Sequence, residues 1–329
     1  MSADLARHLQ QLIRPGDTLW WGQATAEPLT LTRALVEHRH AIAQGGRLGV
    51  FVGMAASDTL RPEQADVLDF FGYAAGGAHR QLADAGRLDI LPSHYSHLPG
   101  LIQGGVLPAD VLLLQVSKPD AAGRHSLGLV REYLPAVLAK ARVVIAEVNP
   151  SIPWTHGGPY LQAGDFALLV DAEHLPLDQP RGAIGATEQQ IARHIAGLIE
   201  DGATLQLGVG NLPEAVLAAL HGHRDLGLHT GAVTDGIAQL AQAGVLTNAK
   251  KSLDNGVGVG GNAGSQGFPG FQPGDATDKS RNSWAGYGDV EFDLTDRLTT
   301  DVAVRYEDYS DFGSTTTGKL AAAFRVSDQ

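Results

Sequence analysis

The hydrophobic period of this chain changes once, near residue 255, and a packed layer built for one period cannot hold the other. Up to about residue 252, short continuous apolar runs alternate with longer stretches whose apolar residues recur at helical spacing. Examples are Arg47-Leu-Gly-Val-Phe-Val52, Val111-Leu-Leu-Leu-Gln-Val116, Val143-Val-Ile-Ala-Glu-Val148 and Phe166-Ala-Leu-Leu-Val170. Runs of this kind predict strands buried on both faces, and the intervening segments, such as 132–141, predict the helices that cover them. Beyond Asp254 the text becomes glycine-rich (Gly256-Val-Gly-Val-Gly-Gly261) and then alternates with a period of two. There Leu298, Thr300, Val302, Val304 and Tyr306 share one face, and Thr299, Asp301, Ala303, Arg305 and Glu307 share the other. A third run, 314–326, repeats the pattern, with Leu320, Ala322, Phe324 and Val326 opposite Lys319, Ala321, Ala323 and Arg325. The expected fold is therefore α/β, with open parallel sheets, followed by a short antiparallel β tail.

Residues 171–186 are rich in Pro, Gly and Asp and read as a linker, after which Thr187 is expected to cap a helix that carries Glu188 in its first turn. Three regions follow: an α/β domain over 1–180, the start of a second α/β domain over 181–254, and a linker plus β tail over 255–329. Residue usage supports the joint, because all 13 histidines precede residue 231.

Charge and composition exclude several classes. A net charge of −12 with no basic run argues against nucleic acid as a partner. The absence of cysteine removes thiol nucleophiles, thiolate metal sites and disulfides. No apolar run reaches a spanning length of roughly 18 residues, and the N-terminus lacks the apolar core of a secretory signal, so a cytoplasmic location without membrane contact is expected. His94, His97 and His156 have no ligand spacing, and no metal is predicted.

The segment Gly202-Ala-Thr-Leu-Gln-Leu-Gly-Val-Gly-Asn-Leu-Pro-Glu-Ala-Val216 reads as a strand, a glycine turn and a helix with Pro213 near its start. Glycines there let a ligand approach the backbone, and helix-start amides suit a phosphate or a developing oxyanion. A tight turn with no ligand is an equal reading of the same residues. Ser117, Asp120, His125 and Ser126 fall in a loop after a strand, where α/β folds place ligands, although Asp120 and Ser126 are also ordinary turn formers.

The wording of this turn resembles the acetyl-CoA hydrolase/transferase family, which includes the 4-hydroxybutyrate and acetate CoA-transferases. So, in the same order, do His97-Leu-Pro-Gly-Leu-Ile-Gln, Gln115-Val-Ser-Lys-Pro-Asp-Ala-Ala-Gly-Arg-His-Ser-Leu-Gly128, Ala146-Glu-Val-Asn-Pro150 with Pro153-Trp-Thr-His156, and Leu226-Gly-Leu-His-Thr230 with Thr234-Asp-Gly236. The resemblance covers about 1–252. It implies two α/β domains of similar topology with coenzyme A, or an acyl-CoA, and a carboxylate meeting between them, and leaves homo-oligomerisation open. It also implies that Gly208, Val209, Gly210, Asn211 and Leu212 hold CoA, with Gln206 as an oxyanion donor. Members that transfer CoA use a glutamate directly after the His-Thr pair, and this chain has Gly231 there. Covalent relay of CoA is thus not expected from this position, thioester hydrolysis needs no such residue, and an inactive CoA-binding relic is the alternative. The resemblance ends after Asn248-Ala-Lys-Lys-Ser-Leu-Asp254, inside the second domain.

The tail segments 267–278, 282–298 and 304–315 resemble TonB-dependent outer-membrane receptors midway along their barrels, with Thr295-Asp-Arg297 as a short turn. Three strands cannot close a barrel, so the expectation is an exposed meander, or pairing with the body's open sheet edge, rather than transport.

Overall fold

Alternate residues of the central strands feed two different hydrophobic cores. Leu19, Trp21, Val111, Leu113, Val143 and Ile145 enter one, and Trp20, Leu112, Leu114, Val144 and Ala146 enter the other. That is why these runs are continuously apolar: a strand with covered faces on both sides has no polar side. The computed structural model describes residues 2–75, 77–178, 182–260, 283–295, 297–309 and 313–324. They fall in two units, Met1–Pro269 and Gly270–Gln329.

The first unit opens with α1 (Ser2–Leu12), β1 (Thr18–Trp21), α2 (Leu29–Glu37), α3 (Arg39–Ala43), β2 (Leu48–Phe51), β3 (Leu68–Gly72), α4 (Arg80–Asp84) and β4 (Leu88–Ile90). It continues with α5 (Leu98–Gln103), β5 (Val111–Val116), α6 (Leu134–Leu138), β6 (Val143–Val148) and β7 (Leu168–Asp171). All pairings are parallel and the strand order is β4-β3-β2-β1-β5-β6-β7. Helices α1 to α4 pack on one face, α5 and α6 on the other. The chain winds outward from β1 to β4 and then restarts beside β1 with β5, so the order reverses between β1 and β5.

A smaller parallel sheet of order β10-β9-β8 follows, from β8 (Thr204–Leu205), β9 (Gly227–Thr230) and β10 (Val259–Gly260). Helices α7 (Ala186–Ala196), α8 (Asn211–Ala219) and α9 (Asp235–Gln242) cover one face around Leu205, Val216, Leu217, Leu228, Ile237 and Leu240. On the other face Lys251, 5% exposed, donates from Nζ to Leu228 O at 2.9 Å and Val257 O at 2.7 Å. Its stem lies over Gly227, where a Cβ would come within 2.5 Å of the Lys251 Cγ. Glycine is needed there for space.

Two local expectations are corrected. Helix α7 starts one residue before Thr187, with Gly185 at the cap and no side-chain cap bond, while Glu188 does sit in the first turn. The helix expected from residue 132 starts at Leu134, because Glu132 is left-handed (φ 44°) and cannot begin a helix.

The second unit is an antiparallel meander of β11 (Ser283–Thr295), β12 (Leu298–Tyr309) and β13 (Gly313–Phe324). Val290, Val302 and Leu320 lie in one register row, and Thr300 and Ala322 in the next. Val290, Phe292, Val302, Val304, Leu320 and Phe324 on the apolar face are exposed. The 261–282 stretch, Asp296 of the expected turn, and Arg325 and Val326 of the third run lie outside the described residues.

Candidate active site

Reversal of strand order between β1 and β5 leaves a crevice at their C-terminal ends, because the following loops part in opposite directions. The loop after β5 is held by its own polar groups. His125 Nδ1 donates to Ser117 O at 2.7 Å, so Nδ1 carries the proton, and His125 exchanges both backbone bonds with Leu161. Ser126 N donates to Ser117 Oγ at 3.0 Å, and Thr155 N to Ser126 Oγ at 3.2 Å. Asp120 accepts from Ala122 N, Arg124 N and the Arg124 guanidinium, which hold its carboxyl below the usual carboxylate range. Asp120 and His125 thus shape the loop from within.

Above this ladder lies a cavity of about 380 Å³, lined by the 126–131 and 153–160 segments and by Val233 of the second lobe. Tyr160 stacks on Trp154 at 5.3 Å, its hydroxyl accepts from Gly157 N at 3.2 Å, and Arg124 lies 5.2 Å from its ring centroid. Arg131 donates from Nε to Gly158 O at 3.0 Å and has no ion pair among the described residues. Arg131 is exposed while Glu132 and Tyr133 both turn inward, a change of direction made at the left-handed Glu132.

Beneath the cavity wall, Glu132 Oε2 accepts from Gln23 N at 3.4 Å, and its buried Oε1 has no partner. Gln23 accepts from Tyr73 OH at 2.7 Å and donates to Tyr95 OH at 3.2 Å. Burial pushes the Glu132 carboxyl up to about 8 and Tyr73 up to about 12. Glu147, fully buried on β6, accepts from Thr30 N at 2.8 Å and Leu31 N at 3.2 Å at the start of α2, where Pro28 provides no side-chain cap. Burial outweighs those two bonds and takes its carboxyl up to about 7.

In the second lobe, the glycine turn and the Gly231 loop leave the adjacent C-terminal ends of β8 and β9. Thr230 Oγ1 ties them together, donating to Leu207 O at 2.9 Å and accepting from Leu207 N at 3.1 Å. Gly210 caps α8 at φ 127°, and Glu214 N turns back to Gly210 O at 3.2 Å. Pro213 has no N–H, so the amides presented at the helix start are those of Asn211 and Leu212. Gly208, Val209, Gly210 and Leu212 are exposed. Asn211 Nδ2 donates to Ala183 O at 3.2 Å. Gln206 is exposed and its amide lies 3.4 Å from Leu207 O.

The sequence-predicted residues thus form two groups: Ser126 and His156 at the cavity, and Gly208 to Leu212 beside Gly231 on the second lobe, with Val233 linking the two. His94 and His97 pair edge-to-face at 5.4 Å and do not line the cavity. Among the described residues no group of three or more His, Asp or Glu is arranged to hold a metal ion. Arg131, Tyr160, Gln23 and Glu132 were not singled out by sequence. A lone arginine before a helical pattern gives no such signal, but a glutamate inside an apolar stretch does.

Residues 5–161 match the acetyl-CoA hydrolase/transferase N-terminal domain. Residues 218–329 match the TonB dependent receptor-like β-barrel, a match that starts inside α8, ahead of the change in period. The chain is 35% identical over 236 residues to 4-hydroxybutyrate coenzyme A transferase of Clostridium kluyveri, covering 72% of this chain and 55% of the relative. It is 30% identical over 250 residues to butyryl-CoA:acetate CoA-transferase of Anaerostipes caccae, covering 74% and 56%. It therefore spans about half the length of the curated relatives it matches. Among solved structures, RipA from Yersinia pestis superposes with a TM-score of 0.72 at 27% identity, covering 80% of this chain and 63% of that one. The 4-hydroxybutyrate CoA-transferase of Porphyromonas gingivalis gives 0.62 at 27% identity, covering 79% and 62%.

Proposed function

Since the chain, through its N-terminal body, belongs to the acetyl-CoA hydrolase/transferase family, we propose that it binds an acyl-CoA thioester where the cavity meets the second lobe and cleaves it by hydrolysis rather than by covalent CoA transfer. The observation that carries this reading is the continuity from the turn at 208–212, through Thr230 and the Gly231 loop, to Val233 in the cavity wall. The turn presents the Asn211 and Leu212 amides to an anion at the start of α8, whose dipole favours negative charge. In that setting water adds to the thioester carbonyl, the amides hold the oxyanion, and the C–S bond breaks. The acid departs as carboxylate and CoA as thiol. Amide donors of this kind typically contribute about 3–4 kcal/mol to an acyl-transfer barrier. Covalent relay would need a carboxylate at 231, where glycine offers none.

The test is thiol release from acetyl-CoA by purified full-length protein. Release above the blank, saturating with acetyl-CoA, is expected. None at high protein concentration ends the reading for acetyl-CoA. A second reading, an inert CoA-binding protein, is favoured by Gly231 and by the Gln206 amide lying against its own neighbour. CoA binding by calorimetry with no turnover would select it.

A further inference from the structure

We infer that the 380 Å³ cavity is the subsite for a short monocarboxylic acid with an apolar chain, acceptor or product of the thioester chemistry, and that Arg131 is its carboxylate anchor. This rests on the function proposed above for the same site. The walls are mostly apolar, with Leu129, Val130, Pro159, Tyr160 and Val233 among them, and no carboxylate lines them. One guanidinium stands in that wall. Its Nε is committed to Gly158 O at 3.0 Å, which fixes the plane of the fork and leaves both Nη groups for a ligand. An arginine held this way presents two parallel N–H donors, the geometry that a carboxylate accepts bidentately. The neighbouring cation does not compete, because Arg124 is paired with Asp120 at 2.7 Å. The next residue, Glu132, turns into the core, so its carboxyl does not face the ligand. A single fork in an apolar wall selects one carboxylate and an unbranched or lightly branched chain over a diacid, whose second charge would meet Leu129, Val130 or Val233.

Calorimetric titration of the full chain with butyrate, butyramide and CoA tests this. Butyrate should bind and butyramide, its uncharged analogue, should not. Arg131→Gln should weaken butyrate by about tenfold or more, Arg131→Lys should fall between, and CoA affinity should be unchanged in both. The inference is overturned if butyrate and butyramide bind alike, if wild type binds no butyrate, or if Arg131→Gln leaves butyrate binding intact. It is also overturned if the variant loses CoA instead, which would make the anion a CoA phosphate. Should Arg131→Gln fail to fold, the butyrate and butyramide contrast on wild type and Arg131→Lys decides. Butyrate binding without CoA binding would sink the proposed function and leave this site standing.

Discussion

At the residue scale, two positions carry chemistry that sequence reading weighted unequally. Gly231 was legible at once, because a missing side chain is visible in the text. Glu132 was not, because only the fold shows that its carboxyl is buried with one oxygen unpartnered. Its folded value of about 8 lies above the ordinary 4.5, so the folded chain keeps a proton that the unfolded chain releases. Stability from this group is full below about pH 4.5 and declines as pH rises toward 8, and Glu147 acts the same way up to about 7. Glu132→Gln, neutral at every pH, is therefore expected to flatten the fall in stability between pH 5 and 8, each pKa unit being worth about 1.4 kcal/mol. Urea melts across that range check it, and parallel curves for the two proteins would refute it. Gly231→Glu is expected to create butyryl-CoA from acetyl-CoA and butyrate, which the parent does not. Silence with CoA binding intact would show that the carboxylate is not what limits transfer.

At the element scale, the buried strands were read well: the Val111–Val116 and Val143–Val148 runs have the same bounds in the structure. Continuous burial on both faces writes itself into composition. Helix starts were read poorly, because they depend on backbone conformation at Gly185 and Glu132 rather than on hydrophobic spacing. Thr230 holds the glycine turn to β9 by two bonds to Leu207. Thr230→Val should speed amide exchange at Leu207 and weaken CoA several-fold, whereas Thr230→Ser should preserve both, and equal CoA affinity in the two variants would refute the coupling. Lys251 stabilises the small sheet from its helix-free face. Lys251→Met leaves the Leu228 and Val257 carbonyls without their donor and should cost about 1–3 kcal/mol in thermal or chemical melts.

At the scale of the whole molecule, the chain divides into Met1–Pro269 and Gly270–Gln329. Each has its own hydrogen-bonded sheets. The meander keeps Val302 and Leu320 exposed, at 38% and 77%, on an apolar face that invites association. Replacing both with threonine should lower light scattering of the purified chain without shifting the melting of the α/β unit. An unchanged scattering profile would show that this face does not drive association. Among the described residues no helix is long and apolar enough to cross a membrane.

The sequence by itself determined the architecture, since period and burial are linked residue by residue: two-sided runs make covered parallel strands, and period two makes a meander. It also determined that position 231 has no side chain. Only the tertiary structure decided which residues share a cavity. Arg131, Tyr160 and Val233 meet through the winding of two sheets, and a left-handed step at Glu132 separates an exposed arginine from a buried acid. Such meetings depend on contacts far apart in sequence, which no local pattern encodes.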